Sequence, residues 1–225
     1  MLAETKTPNG ARMTLVEHDG SYCIRVNGQQ LMHSSVAVSE VELGRLGVER
    51  LARQAPARVL IGGLGLGFTL KSVLGHTGPR TAVHVSELFP EIVAWNRTHL
   101  ANLNGHALND PRVTVHERDV RLIINQSVRT PFDAIVLDID NGTTAMVKDE
   151  NHLLYSEAGV QRIVQAVKPG GRVTIWSACA DAILEQRFRR TGCIVRAVPA
   201  PIHAKARRSA YMIYIGDRPV PAAKG

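Results

Sequence analysis

From residue 57 onward, short apolar runs alternate with segments of helical periodicity. The predicted strands are ARVLIGG, TAVHVSE, RVTVHERD, FDAIVLDID and GRVTIWSA. Helices are predicted at 68–75 and in PEIVAWNRTHLANL, VRLIINQ and SEAGVQRIVQAVK. Such alternation predicts a parallel sheet that is covered on both faces by helices. The chain is therefore expected to be an α/β protein.

The end of the chain breaks this alternation. After a predicted helix at about 180–190 come the strands GCIVRAVPA and SAYMIYIGD, separated by about ten residues that include Pro199 and Pro201. A parallel crossover needs about a dozen or more residues, so these two strands are predicted to pair antiparallel. Five parallel strands followed by an antiparallel hairpin are typical of the Rossmann-like class I AdoMet-dependent methyltransferase fold, which has a mostly parallel seven-stranded sheet.

The first 35 residues have a different pattern. MTLVEH, SYCIRVNG and QQLMHS are predicted strands separated by the hairpin dipeptides Asp19-Gly20 and Asn27-Gly28. A helix is predicted over Ser39–Ala55, with Ser39 as its N-cap. We therefore expect a small N-terminal β-strand region over residues 1–35 and an AdoMet-binding, Rossmann-like catalytic domain over 36–225.

Composition excludes several classes of protein. Hydrophobic residues make up 44% and charged residues 21% of the 225 residues, which is ordinary for a soluble globular protein. No apolar run approaches the ~20 residues that span a bilayer, and MLAETKTPNGA lacks the apolar segment of a signal peptide. Cys23, Cys179 and Cys193 are far apart. These features predict a cytoplasmic protein with reduced thiols, no membrane association and no metal site.

The net charge of +7 is concentrated at the end of the chain. Residues 182–225 carry nine Lys and Arg but two Asp and Glu, and the preceding residues are balanced. Such an excess attracts nucleic acid, acidic substrates or acidic partners. The aromatic content of 4% gives little basis for stacking on bases, so we expect a solvated surface and not a nucleic-acid site.

A glycine-rich loop, Gly62-Gly63-Leu64-Gly65-Leu66-Gly67, follows the first parallel strand. The dinucleotide pattern G-x-G-x-x-G/A started at Gly63 ends on the bulky Phe68, and no Gly-Lys-Ser/Thr follows as in a P-loop. The remaining G-x-G-x-G form suits a nucleoside with an amino-acid-like tail. The alternative interpretation is a tight turn without a ligand.

Carboxylates end the next two strands. Glu87 is placed to accept hydrogen bonds from both ribose hydroxyls, and Asp119 from an adenine amino group. The alternatives are solvent-facing charges or, for Asp119, an N-cap of the following helix. The predicted cofactor-binding residues are Gly63, Gly65, Glu87, Leu88, Asp119 and Val120.

The fourth strand ends in Asp138, and Asp140 follows two residues later. Both acids are predicted to be catalytic, because a carboxylate beside a sulfonium centre can hold an attacking amine and remove its proton. The alternative is that Asp138-Ile139-Asp140-Asn141-Gly142 forms only a turn. The sequence is not N/D-P-P-Y, the signature of amino-methylation on DNA bases or glutamine.

In this order, the motifs resemble those of the spermidine/spermine synthase (polyamine aminopropyltransferase) superfamily. The matching segments, within about residues 20–178, are VLIGGLGLGFTLKSVLGH, SELFPEIV, DPRVTVHERDV, FDAIVLDIDN, LYSEAG and VKPGG. The resemblance implies that Glu87 binds ribose, that Asp119 contacts adenine and that Asp138 is the catalytic carboxylate. It also implies that Gln29 or Gln30 matches a cofactor-contacting glutamine.

Three positions depart from the family pattern. Gly65 replaces the loop Asp of GGGDGG, which holds the ammonium group of decarboxylated AdoMet. Val38-Ser39 replaces a Tyr-His pair before Glu40, and Asp138–Gly142 differs from Asp-Ser-Ser-Asp-Pro. The chain is therefore expected to be a divergent spermidine-synthase-like transferase with an altered donor tail, acceptor or both.

The expected activity is alkyl transfer from S-adenosylmethionine, or from decarboxylated AdoMet with methylthioadenosine as product, to a small-molecule acceptor that is an amine. The alternatives are a conventional AdoMet-dependent methyltransferase and a non-catalytic nucleoside-binding scaffold. Gly65 supplies no loop acid, and Lys205, Arg207 and Arg208 of the chain's last loop are expected either to lie over the same crevice or to form a solvated loop. On the first interpretation, intact AdoMet is expected to bind better than decarboxylated AdoMet, and putrescine to be a poor acceptor. We also expect a homodimer.

Overall fold

The computed structural model describes residues 1–7, 10–139, 151–201 and 209–221. The strands are β1 Ala3–Lys6, β2 Arg12–His18, β3 Ser21–Val26, β4 Gln29–His33, β5 Ala57–Gly62, β6 Thr81–Glu87, β7 Val113–Glu117, β8 Phe132–Leu137, β9 Val167–Ser177, β10 Ile194–Pro201 and β11 Ser209–Asp217. The helices are α1 Val38–Val48, α2 Phe68–His76, α3 Pro90–Arg97, α4 Ala101–Asn104, α5 Val120–Gln126, α6 Asn151–Leu154, α7 Glu157–Gln165 and α8 Ala182–Arg190, and short 3-10 turns lie at Ser34–Val36 and Ala107–Asn109.

The larger sheet has seven strands in the order β10-β11-β9-β8-β5-β6-β7. Strands β5 to β9 are mutually parallel, and β11 runs antiparallel to both β9 and β10. The predicted fold class and the predicted antiparallel pairing of the last two strands are therefore confirmed. The order reverses direction at β5 and β8, and the crevice beyond their carboxyl ends is where open α/β sheets bind ligands.

The central strands are buried because helices cover both faces. Val59, Leu60 and Ile61 of β5 have no solvent exposure, nor do Ile135 and Val136 of β8. Side chains alternate across a strand, so a strand covered on both faces reads as a continuous apolar run. The apolar runs in the sequence thus mark the middle of the sheet.

The N-terminal residues form a separate antiparallel sheet in the order β1-β2-β3-β4. Its turns adopt positive φ at Asp19 (49°), Gly20 (74°), Asn27 (48°) and Gly28 (80°), as two-residue hairpins of type I′ require. The predicted hairpins are confirmed, but β1 was not predicted. Its sequence AETK carries no apolar alternation strong enough to signal a strand.

The two sheets share one hydrophobic core. Met13, Leu15 and Ile24 of the small sheet are fully buried in the same cluster as Leu64 and Leu66 of the glycine-rich loop. The small sheet therefore packs against the loop. The predicted boundary after residue 35 remains a prediction.

The predicted helix over Ser39–Ala55 was wrong at both ends. Helix α1 begins at Val38 after the N-cap Ala37, whose side chain makes no capping bond, and it ends at Val48. Ser39 lies inside the first turn, where its hydroxyl donates to the Glu40 carboxylate over 2.9 Å.

The predicted helix PEIVAWNRTHLANL was also wrong, because the segment forms two helices. Thr98 interrupts it at φ −116° and ψ −91°, and its hydroxyl donates to the Ala94 carbonyl over 2.8 Å. Threonine hydroxyls compete in this way with the backbone hydrogen bonds of a helix. The break brings α4 back against α3.

The helix predicted to continue to Pro169 ends earlier. Helix α7 stops at Gln165, and β9 already begins at Val167. The pairing of β9 with β8 shifts register between Phe132 and Ala134. The extra residues are held by a backbone bond from Gly170 N–H to the Arg218 carbonyl, 2.8 Å long.

Within the described residues, none of the helices combines the length and apolar character needed to cross a membrane.

Candidate active site

The carboxyl ends of β5, β6, β7 and β8 open into a first cavity. All of the cofactor-binding residues predicted around the glycine-rich loop line it: Gly63, Gly65, Glu87, Leu88, Asp119 and Val120. Asp138 lines it as well. The parallel register brings these side chains together because each follows or ends a strand at the same edge.

Positive φ favours glycine at Gly63 and Gly65 of the loop. Gly63 has φ +86°, and a Cβ there would collide with the carbonyl oxygen of Asp138. Gly65 has φ +52°, and a Cβ there would lie 3.0 Å from the Met32 Sδ atom. The loop therefore packs between the end of β8 and the N-terminal sheet, and it leaves backbone exposed to the cavity.

Glu87 holds the glycine-rich loop to the end of β6. Its carboxylate accepts hydrogen bonds from the backbone N–H groups of Leu64 and Phe89, each 2.9 Å long, and the residue is 6% exposed. Burial raises the pKa of Glu87, and these backbone bonds oppose the shift. Because each carboxylate oxygen has two lone pairs, Glu87 can still accept bonds from ligand hydroxyls.

The loop has a second support that the sequence did not suggest. The Asn96 side-chain amide, buried in α3, donates to the Gly65 carbonyl over 2.8 Å and accepts from the Asn104 amide over 2.8 Å. Both asparagines are 1% exposed. Polar residues spaced eight apart with a helix break between them give no recognisable motif.

Asp119 has two roles at the end of β7. Its carboxylate caps α5 by accepting from the Arg121 N–H over 2.8 Å, and it pairs with the Arg121 guanidinium at 2.9 Å. The capping alternative is therefore correct, and Asp119 also lines the first cavity. Arg118 and Arg121 line the same side of the cavity.

Asp138 follows β8 directly. Its N–H donates to the Gly62 carbonyl over 2.8 Å, and its carboxylate accepts from the Thr69 hydroxyl at the start of α2 over 2.5 Å. Burial raises the pKa of Asp138 to about 6 against the opposing effect of the Thr69 bond. A carboxyl group with a pKa near neutrality is suited to exchange protons. Asp140, also predicted to be catalytic, lies outside the described residues.

A second cavity adjoins the first. The two share Leu31, Met32, Gly65 and Asp138. Across from this shared wall, the second cavity is lined by Trp176 of β9 and Tyr211 of β11, whose rings lie 4.9 Å apart. Of the two predicted glutamines, Gln30 lines the second cavity, whereas the exposed Gln29 lines neither.

Glu40 is a further acidic residue of the second cavity, and the sequence identified it only as the residue after Val38-Ser39, where the family has a Tyr-His pair. Burial and the nearby charge of Asp138 raise its pKa to about 7. Glu40 reaches this position because α1 packs tightly on α2. A Cβ at Gly44 would lie 2.8 Å from Ser72, and the Ser72 hydroxyl donates to the Val41 carbonyl over 2.6 Å.

The predicted basic residues of the last loop cannot be placed relative to the two cavities. Lys205, Arg207 and Arg208 lie outside the described residues. On α8, Arg189 pairs with Glu185 at 2.7 Å, and Arg187 donates to the Tyr155 carbonyl over 2.8 Å.

Comparison with curated proteins finds polyamine aminopropyltransferases among the relatives of this chain. No family model matches the chain. It is 32% identical over 129 residues to polyamine aminopropyltransferase 2 of Pseudomonas aeruginosa, covering 56% of this chain and 34% of that protein. It is 33% identical over 129 residues to polyamine aminopropyltransferase 2 of Streptomyces coelicolor, covering 56% and 22%. The chain thus spans about a third or less of the length of these curated relatives.

Solved structures show the same fold. Spermidine synthase from Thermotoga maritima superimposes with a TM-score of 0.73 at 16% identity, covering 98% of this chain and 73% of that one. A spermidine synthase in complex with the transition-state analogue AdoDATO gives 0.72 at 16% identity with the same coverage. The resemblance to the spermidine/spermine synthase superfamily is confirmed.

Proposed function

We propose that the protein transfers an alkyl group from an adenosyl sulfonium donor to an amine. The observation that carries this proposal is the shared wall of the two cavities. The first cavity is lined by the glycine-rich loop, Glu87 and Asp119, the second by aromatic and acidic side chains, and Asp138 lies in both. A carboxylate at such a junction faces both a donor and an acceptor.

The first cavity suits an adenosine group. Glu87 has acceptor capacity for the ribose hydroxyls, and Asp119 for the adenine amino group. Val120, Ile139 and Leu154 give the cavity apolar surface for a base. The polyamine aminopropyltransferase names of the relatives and the AdoDATO complex of the structural neighbour support a sulfonium nucleoside as the ligand.

The second cavity suits the acceptor. Asp138 accepts a proton from the bound ammonium group, which frees the nitrogen lone pair. The nitrogen then attacks the carbon attached to sulfur, a C–N bond forms, and the C–S bond breaks with its electrons left on the thioether. Proton transfer to a positioned base contributes about 10²–10⁴-fold to such a rate, and the alignment of the two substrates adds to it.

Gly65 bears on the choice of donor. The ammonium group of decarboxylated AdoMet needs an anion at the loop, because an unpaired buried charge is costly. Intact AdoMet carries its own carboxylate beside its ammonium group. We infer that intact AdoMet binds better than decarboxylated AdoMet and that putrescine is a poor acceptor, which keeps methyl transfer as a second candidate activity.

A two-part experiment tests these proposals. Calorimetry with AdoMet, decarboxylated AdoMet and methylthioadenosine measures donor binding, and mass spectrometry after incubation with primary amines identifies the transferred group. We expect methylthioadenosine to bind and an amine to be alkylated. Failure to bind any of the three nucleosides would contradict the proposed function. Efficient spermidine formation from putrescine would contradict the donor and acceptor preferences only.

We further propose that the protein acts as a cytoplasmic homodimer, with residues 1–35 and 36–225 as its two structural units. The oligomer is tested by sedimentation equilibrium of the purified chain. A monomer at micromolar concentration would contradict it.

A further inference from the structure

We propose that Glu40 is a second catalytic carboxylate, which binds the acceptor's ammonium group together with Asp138 and shares with Asp138 the proton that the amine loses. This inference rests on the proposed function. It assigns to the second cavity a residue to which the sequence analysis gave no role, and it defines the acceptor as a primary alkylamine that enters as a cation.

Glu40 and Asp138 have no basic partner among the described residues, unlike three other partly buried acids. Asp110 pairs with Arg112 at 2.7 Å, Asp133 with Lys168 at 2.8 Å, and Asp217 with Arg172 at 2.7 Å. Glu40 and Asp138 instead accept from hydroxyls, those of Ser39 over 2.9 Å and Thr69 over 2.5 Å. Neutral donors leave their charge without compensation, so the cavity favours a cationic ligand.

The same α2 residue lies beside both acids. The Thr69 hydroxyl that bonds the Asp138 carboxylate is 3.3 Å from the Glu40 carbonyl oxygen. Both acids line the second cavity, whose other walls include Tyr211 and His33. Burial raises the pKa of the Tyr211 phenol, and the charge of Glu40 adds to this shift. An ammonium group at the acids would leave its alkyl chain against these rings.

Proton balance gives Glu40 and Asp138 a shared role. An alkylammonium ion that binds to two ionised carboxylates passes one proton to the pair and becomes a neutral amine. Its lone pair forms the new C–N bond as the C–S bond breaks, and the product is again an ammonium ion. The proton held by the pair leaves to water with the product. One net proton is released per turnover.

Glu40→Gln tests this role, with Glu42→Gln as the matched control. Glu42 is two residues further along α1 and pairs with Arg45 at 2.6 Å, and it lines neither cavity. The probes are n-butylamine and its neutral analogue 1-butanol, titrated at about pH 8 with methylthioadenosine bound, where an alkylamine is protonated. The wild type and Glu42→Gln should prefer the amine by at least about 10-fold.

In Glu40→Gln the preference for the amine should fall by at least about 10-fold, while affinities for 1-butanol and methylthioadenosine stay unchanged. A merely structural defect would weaken all three ligands. If the wild type prefers the amine and Glu40→Gln keeps that preference, or if the wild type itself shows none, the role of Glu40 is overturned. If methylthioadenosine does not bind the wild type, the proposed function fails first, and butylamine binding without the nucleoside decides the role of Glu40.

Discussion

The two cavities hold acidic residues in opposite ways. In the first cavity, the proposed donor site, the Glu87 carboxylate is fixed by the backbone N–H groups of Leu64 and Phe89. In the second cavity, the proposed acceptor site, Asp138 and Glu40 have hydroxyl donors and no basic partner among the described residues. Backbone donors oppose the rise in the pKa of Glu87 that its burial causes, whereas a carboxyl group with a pKa near neutrality readily exchanges a proton. In the proposed function, binding and reaction are therefore separated across one wall.

The largest effect is expected at the shared wall. Asp138→Asn keeps the side-chain shape but removes the proton acceptor, so turnover should fall at least about 100-fold with methylthioadenosine binding retained. Steady-state kinetics and calorimetry measure the two quantities.

Asp133→Asn is the control for Asp138→Asn. Asp133 lies near the other end of β8, in neither cavity, and pairs with Lys168. Its substitution should leave turnover within about twofold in the folded variant. Near-normal turnover in Asp138→Asn would show that Asp138 is structural and that positioning alone suffices.

The next effect is expected in the donor cavity. Glu87→Ala should weaken methylthioadenosine binding by about 2 kcal/mol or more, roughly 30-fold, because hydrogen bonds to a charged group are lost. Glu117→Ala is the control, since Glu117 pairs in register with Glu87 on β7 but is exposed and lines neither cavity. Unchanged affinity in a folded Glu87→Ala would remove Glu87 from the nucleoside site.

A third prediction concerns Gly65. An acid at position 65 should raise the ratio of the affinities for decarboxylated AdoMet and AdoMet by about 10-fold relative to the wild type. One hydrogen bond to a charged group has an effect of about this size. Because the new Cβ would lie 3.0 Å from the Met32 Sδ atom, Gly65→Asp is combined with Met32→Ala. The matched control is Gly65→Asn with Met32→Ala, and equal donor ratios in the two would show that charge at this position does not select the donor.

Much of this architecture follows from local sequence signals. Apolar runs located β5, β6, β7 and β8, and the residue at or just after each carboxyl end became a cavity residue, as for Glu87 and Asp138. Parallel register converts these separate positions into one site, so strand ends could be predicted without knowing any contact.

The acceptor cavity could not be predicted in the same way. Glu40 lines the same cavity as Asp138 because Gly44 lets α1 approach α2 closely, and this helix packing joins segments distant in sequence. The Asn96–Asn104 support depends on the break at Thr98. The predictions of the helix ends were wrong for a related reason, because tertiary contacts override local propensity.

The smallest predicted effect is on stability. The pKa of Asp138 is raised from 3.8 to about 6 and that of Glu40 from 4.5 to about 7, so the folded state binds protons more tightly than the unfolded state between these values. As pH rises from about 4 to 7, the free energy of unfolding should therefore lose a contribution, and the loss is complete above the folded pKa.

Asp138→Asn should consequently gain about 2–4 °C in Tm relative to the wild type between pH 4.5 and 8, the shift that about 1 kcal/mol produces in a domain of this size. Asp110→Asn should instead lower the Tm by a nearly constant amount over this range, because Arg112 lowers the pKa of Asp110 and its stabilising charge is already present above the unfolded pKa. Differential scanning calorimetry across this pH range measures both variants. If the Tm difference of Asp138→Asn is as constant with pH as that of Asp110→Asn, Asp138 does not carry an uncompensated charge in the folded protein, and the contrast between the two cavities fails.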